Sequence, residues 1–101
     1  MIDVTSEADL QDIIDKNESV VVDFWATWCG PCRMLLTIMD DVSKDIADTV
    51  FVKVNVEDAK DIAMKYDVQT LPTVIVFKSG NEVISRTGFM SKSALVDLIN
   101  S

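Results

Sequence analysis

From Val20 to Ala26 the chain runs Val-Val-Val-Asp-Phe-Trp-Ala, a β-branched and aromatic stretch interrupted by one charge. A run this apolar cannot alternate between a core face and a wet face, so it reads as a strand covered on both sides. Such a strand belongs inside a sheet that carries helices on each face, and no other segment restricts the architecture as much. Asp23 is its single exception, and a carboxyl at that place needs a reason.

The neighbouring segments supply the layers. Ile2 to Thr5 reads as a short strand, and Ser6 followed by Asp9 caps a helix with Leu10, Ile13 and Ile14 at helical spacing until Asn17. After Gly30-Pro31, residues Met34, Leu35, Ile38, Met39, Val42 and Ile46 set one apolar stripe on a helix of about four turns. Residues 50 to 56 alternate in part like a strand with Lys53 as the odd residue, and Ile62, Ala63 and Tyr66 mark a shorter helix. Thr73 to Phe77 and Val83 to Arg86 read as strands joined through Lys78-Ser79-Gly80-Asn81, a link that favours an antiparallel hairpin. Ser91 caps a last helix bearing Leu95, Val96, Leu98 and Ile99. The order βαβαβαββα predicts an α/β fold: a central mixed sheet of five strands flanked by four helices, parallel across the helical crossovers and antiparallel at the hairpin.

A chain of 101 residues fits one compact domain, and 49% apolar residues suffice for its core. One domain over residues 1–101 is therefore expected, without repeats or linkers. The net charge of −8, with 17 acidic residues against 9 basic and no Lys or Arg run, argues against nucleic acid as a partner. Val20-Val21-Val22 is far shorter than the ~20 apolar residues of a membrane span. Met1-Ile2-Asp3-Val4 has neither the basic nor the apolar region of a secretory signal, so a soluble cytosolic protein is expected.

Both cysteines lie in one Cys-x-x-Cys, Cys29 and Cys32. In a reducing compartment a close pair is more often redox-active or metal-binding than a structural staple. A disulfide is broken by a thiolate, which needs a stabilised charge and an accessible sulfur. Cys29 falls at the predicted helix N-terminus, where unpaired N–H groups and the helix dipole favour a negative sulfur, and Cys32 follows about one turn later. Pro31 suits the first turn, where its missing N–H has no partner in any case, and Gly30 is expected to permit a tight turn. Other readings of the residues remain open: Asp23 as a surface-facing strand residue, Lys53 as a snorkelling one, and Pro72 as a trans proline at a strand start.

Trp28-Cys29-Gly30-Pro31-Cys32, shortly after Val22-Asp23-Phe24-Trp25-Ala26, resembles the active-site segment of the thioredoxin family. A second block, Thr70-Leu71-Pro72-Thr73, sets Pro72 43 positions after Cys29, where the family has a cis proline facing the cysteines. The likeness extends through the element order and Phe77-Lys78-Ser79-Gly80. It implies a general protein disulfide reductase in which the Cys29 thiolate attacks a client disulfide and Cys32 resolves the mixed disulfide. Asp23 matches the family's buried acid that assists proton transfer from Cys32, and Lys53 the lysine paired with it. Trp28, Leu71 and Gly88 match positions lining a shallow client groove beside Gly30, Pro31 and Pro72, where the backbone before the cis proline pairs with an extended segment. No bound cofactor or metal is implied. Electrons would come from NADPH through a thioredoxin reductase, and the protein would be a monomer serving disulfide-bearing clients.

The chain departs from the family pattern at three places. Thr37 stands where many members have a kinking proline, which predicts a more regular helix. Asp67 replaces a common glycine at a point where positive φ is expected. Thr70 adds a methyl beside the groove. Three rival functions stand beside this reading: half of a zinc site, which lacks histidine or further cysteines; a binding scaffold with incidental redox chemistry; and an oxidant or isomerase, against which Pro31 and the missing export signal argue.

Overall fold

The computed structural model describes residues 1–101. Its elements are β1 (Ile2–Asp3), α1 (Glu7–Lys16), β2 (Ser19–Trp25), α2 (Gly30–Asp45), β3 (Val50–Asn55), α3 (Lys60–Lys65), β4 (Thr73–Lys78), β5 (Asn81–Thr87) and α4 (Lys92–Ile99). The five strands form one sheet in the order β1-β3-β2-β4-β5. β1, β3 and β2 run parallel, while β4 pairs antiparallel with both β2 and β5. The expected mixed sheet with four helices is therefore what forms.

β2 lies at the centre of the sheet and is buried along its length except at half-buried Trp25. Its alternate residues feed two cores. Val20, Val22 and Phe24 pack with Leu10 and Ile14 of α1 and Ile62 of α3 on one face. Val21 packs on the other face with Leu35, Met39 and Val42 of α2 and Leu95, Leu98 and Ile99 of α4. The period of two along a strand then directs Asp23 and Trp25 to the α2 side as well. By the same alternation Phe51 sends Lys53 of β3 to that side, since Val52 and Val54 belong to the opposite core.

Local chemistry sets the ends of the helices. The Ser6 hydroxyl accepts from the Asp9 N–H at 3.1 Å and Ser91 from Ala94 at 3.2 Å, each satisfying an orphan donor of the first turn. α2 runs unbroken from Gly30 to Asp45, with Thr37 in its sequence. The hairpin is tighter than its sequence link suggested: β4 extends to Lys78 and β5 begins at Asn81, two residues before the expected Val83. Ser79 and Gly80 both take positive φ, 52° and 82°, the sign a two-residue hairpin connection needs. β1 in turn is shorter than expected, although the Val4 N–H still donates to Lys53 O at 3.1 Å before the chain enters the Ser6 cap.

Asp67 holds φ at 54°, so the expected left-handed position after Tyr66 is real. A residue with Cβ is strained there, Asp less than most. Replacing Asp67 with Gly should raise stability by about 0.5 kcal/mol, and replacing it with Val should lower it by about 1–2 kcal/mol, as read by denaturant titration.

Candidate active site

Three elements converge at the C-terminal end of the central strand: the end of β2, the start of α2, and the segment leading into β4. Cys29 and Cys32 are joined in a disulfide, with Cα atoms 5.2 Å apart. Cys29 is the N-cap of α2, and its Sγ accepts from the Cys32 N–H at 3.3 Å. The sulfur thus receives one of the helix's orphan donors, the environment that favours a thiolate once the bond is reduced. The two cysteines differ in access, since Cys29 keeps 7% of its surface and Cys32 none.

Pro31 stands in the first turn of α2 as expected. Gly30 requires a correction. It does not adopt positive φ, and a Cβ built on it would meet nothing within 4 Å, so the turn does not depend on glycine.

The Leu71–Pro72 bond is cis. Leu71 packs against the cluster of Ala26, Cys29 and Cys32, which puts this segment beside the disulfide. Gly88, with φ of 92°, donates its N–H to Pro72 O at 2.8 Å and so joins the same rim from the end of β5. Trp28 is 69% exposed next to Cys29. An indole left in water at that place is available for contact with another molecule. Thr70 is exposed at the same rim, and its carbonyl accepts from the Thr73 hydroxyl.

Asp23 is fully buried, and neither carboxylate oxygen has a hydrogen-bond donor from the protein. It lies under α2, two residues beyond Val21 and two before Trp25, which packs against the cysteine cluster. Burial alone pushes its pKa up to about 8, because the charged form loses its hydration. Lys53 sits directly across from Asp23 in the β2–β3 register. The expected Asp23–Lys53 ion pair is nevertheless not formed. The Lys53 ammonium pairs with Asp3 of β1 at 3.6 Å and lies 5.7 Å from the centre of the Trp25 ring.

Sequence reasoning missed the brace around this loop. Glu57, just after β3, accepts from both the N–H and the hydroxyl of Thr27, at 2.9 and 2.7 Å. These two bonds hold its carboxyl below the usual range. Arg33 of α2 donates to Thr27 O at 2.6 Å. Thr27 is thereby fixed from two sides immediately before Trp28 and Cys29. Thirty residues separate Thr27 from Glu57, so no local pattern could have announced the contact.

Comparison with known proteins agrees with this geometry. The family model described as Thioredoxin matches residues 1–101. The thioredoxin of Mycoplasmoides gallisepticum is 42% identical over 96 residues, 95% of this chain and 96% of that protein. The thioredoxin of Mycoplasma genitalium is 40% identical over 99 residues, 98% and 97% of the two chains. Among solved structures, Plasmodium falciparum thioredoxin superposes with a TM-score of 0.93 at 38% identity, covering 99% of this chain and 97% of that one.

The chain belongs to the thioredoxin family.

With its bonded Cys-x-x-Cys it is a protein-disulfide oxidoreductase, a protein disulfide reductase of that family, and disulfide-bearing proteins are its clients. No helix is long and apolar enough to cross a membrane.

The buried carboxyl makes a measurable claim about stability. Between the ordinary Asp pKa and about 8 the native protein holds a proton that the unfolded chain has released, so stability falls by ~1.4 kcal/mol per pH unit until Asp23 ionises in the native state. Asp23→Asn removes that loss. Its stability relative to wild type, from denaturant titrations at pH 4, 6 and 8, should rise with pH and level off above 8. A difference that stays flat across this range would contradict a raised pKa for Asp23.

Proposed function

We propose that Cys29 is the attacking thiolate, Cys32 the resolving thiol and Asp23 the proton acceptor in reduction of client disulfides. The observation that carries this reading is the unequal placement of the two sulfurs. Cys29 is the accessible one and caps a helix, whereas Cys32 is buried on the side where Asp23 lies. Attack of the Cys29 thiolate on a client disulfide forms a Cys29–client bond and expels the client's other sulfur as a thiolate, which takes a proton. Cys32 then gives its proton to the Asp23 carboxylate and attacks the Cys29 sulfur, so the Cys29–client bond breaks and the second client sulfur leaves as a thiolate, which takes a proton. The client gains two electrons as a dithiol, and Cys29 and Cys32 lose two as a disulfide. A pKa of about 8 suits this task, because a proton acceptor works best when its pKa is near the working pH.

Trp28, Leu71 and Gly88, with Gly30, Pro31 and Pro72, form the client surface in this reading, and the Leu71 backbone pairs with an extended client segment. Lys53 modulates Asp23. An NADPH-dependent thioredoxin reductase returns the disulfide to the dithiol, which gives the protein a part in electron transport and in the redox balance of the cytoplasm. A chain whose two cysteines form one working pair suits a reducing compartment. One sheet sharing two cores, matched from end to end by one family model, supports a single domain over residues 1–101. The large exposed apolar side chains lie on separate elements, which supports a monomer.

The test is trapping. Cys32→Ser, mixed with a disulfide-linked peptide, should accumulate a covalent complex through Cys29 on a non-reducing gel, whereas Cys29→Ser and the double variant should not. Asp23→Asn should slow the resolving step on the order of 100-fold. Complex formation through residue 32 instead would reverse the assignment of the two cysteines.

A further inference from the structure

Three neighbouring parallel strands place an acid, a base and an acid at one level of the sheet. Asp3 of β1 is in register with Lys53 of β3, and Lys53 with Asp23 of β2. Register partners on adjacent strands project to the same face, about 5 Å apart along the hydrogen-bonding direction. One ammonium therefore stands between two carboxyl groups of very different surroundings. Asp3 is 67% exposed and Asp23 fully buried, and the ammonium goes to the exposed one. That choice follows from desolvation: a pair with Asp3 keeps both charges near water, while a pair with Asp23 would draw the cation under α2.

Lys53 also has room to move. Its side chain is 29% exposed and lines an open hollow of about 400 Å³ together with Met1, Leu36, Thr37 and Asp40. The charged side chain that lines the hollow with it is Asp40 of α2. On the far side of Asp23, β4 offers only Val74, and Cys32 in the first turn of α2 is held in the disulfide. Lys53 is thus the one cation in strand register with Asp23, and Asp3 is its ion-pair partner.

We propose that Asp3 is a positioning residue for the redox reaction: by holding the Lys53 ammonium at the outer strand it keeps that cation off Asp23 and so raises the proton affinity of the buried acid. The inference rests on the reading of Asp23 as proton acceptor for its catalytic meaning, though not for its test. With Asp3 neutral, Lys53 turns toward Asp23 and favours the carboxylate. The pH at which the resolving step reaches half its rate then moves down with it.

The experiment follows the Asp23 side-chain carboxyl carbon by NMR across pH in the oxidised protein, for wild type, Asp3→Asn, Asp3→Glu, Lys53→Met and the Asp3→Asn/Lys53→Met double variant. Asp3→Asn should lower the Asp23 midpoint by about one pH unit, the size expected when a cation comes within reach of a carboxyl. Asp3→Glu should restore the wild-type value. In the Lys53→Met background, Asp3→Asn should move the midpoint by less than a third as much, which separates a change in the lysine from direct repulsion between two acids. Lys53→Gln replaces Lys53→Met if the latter folds poorly. An unmoved midpoint in Asp3→Asn, or an equal shift in both backgrounds, overturns the proposal. The proton-acceptor role fails on a different result: an Asp23→Asn exchange rate with the wild-type pH profile leaves the NMR titration intact and removes only its catalytic meaning.

Discussion

The burial of β2 on both faces is the constraint on which the rest of this molecule depends. A strand with Val20, Val22 and Phe24 turned to one core and Val21 to the other can exist only between two helical layers. Those layers carry α2 across the strand's end, so the helix N-terminus arrives beside the residues that leave β2. The cysteines occupy that junction. Their chemistry is therefore a consequence of how the central strand is covered, since only a helix starting there can direct an orphan N–H at the Cys29 sulfur.

The same burial creates the problem that Asp23 presents. A carboxyl without hydrogen-bond partners inside a core costs stability whenever it is charged. Proteins retain such groups where the proton itself is useful, and here it lies on the α2 side of the sheet, under the helix that carries Cys32. The neighbouring cation does not cancel the cost, because Lys53 is already engaged by Asp3 and the Trp25 ring. In the proposed mechanism, stability and reactivity are set against each other at this one side chain.

Outside the disulfide, the rim of the site is built from long-range contacts. Gly88 is tied to Pro72, Thr27 to Glu57 and Arg33, and Leu71 packs onto the cysteine cluster. Apart from the six-residue link between Thr27 and Arg33, these contacts join segments far apart in the chain, so this rim exists only when the whole sheet has formed. Exposed Trp28 sits on that braced loop.

The sequence by itself determined the element order, the two-faced central strand, the Ser6 and Ser91 caps and the cysteines at a strand-to-helix junction. All of these rest on local periodicity, on capping chemistry or on conformational preferences that act within a few residues. Resemblance added the cis proline and the positive φ at Asp67. Only the tertiary structure decided that Lys53 turns to Asp3 and not to Asp23, that Glu57 braces Thr27, and that Gly30 is sterically unnecessary. These outcomes depend on which strands become neighbours and how deeply each charge is buried, and desolvation is a property of the assembled fold that no short stretch of sequence carries.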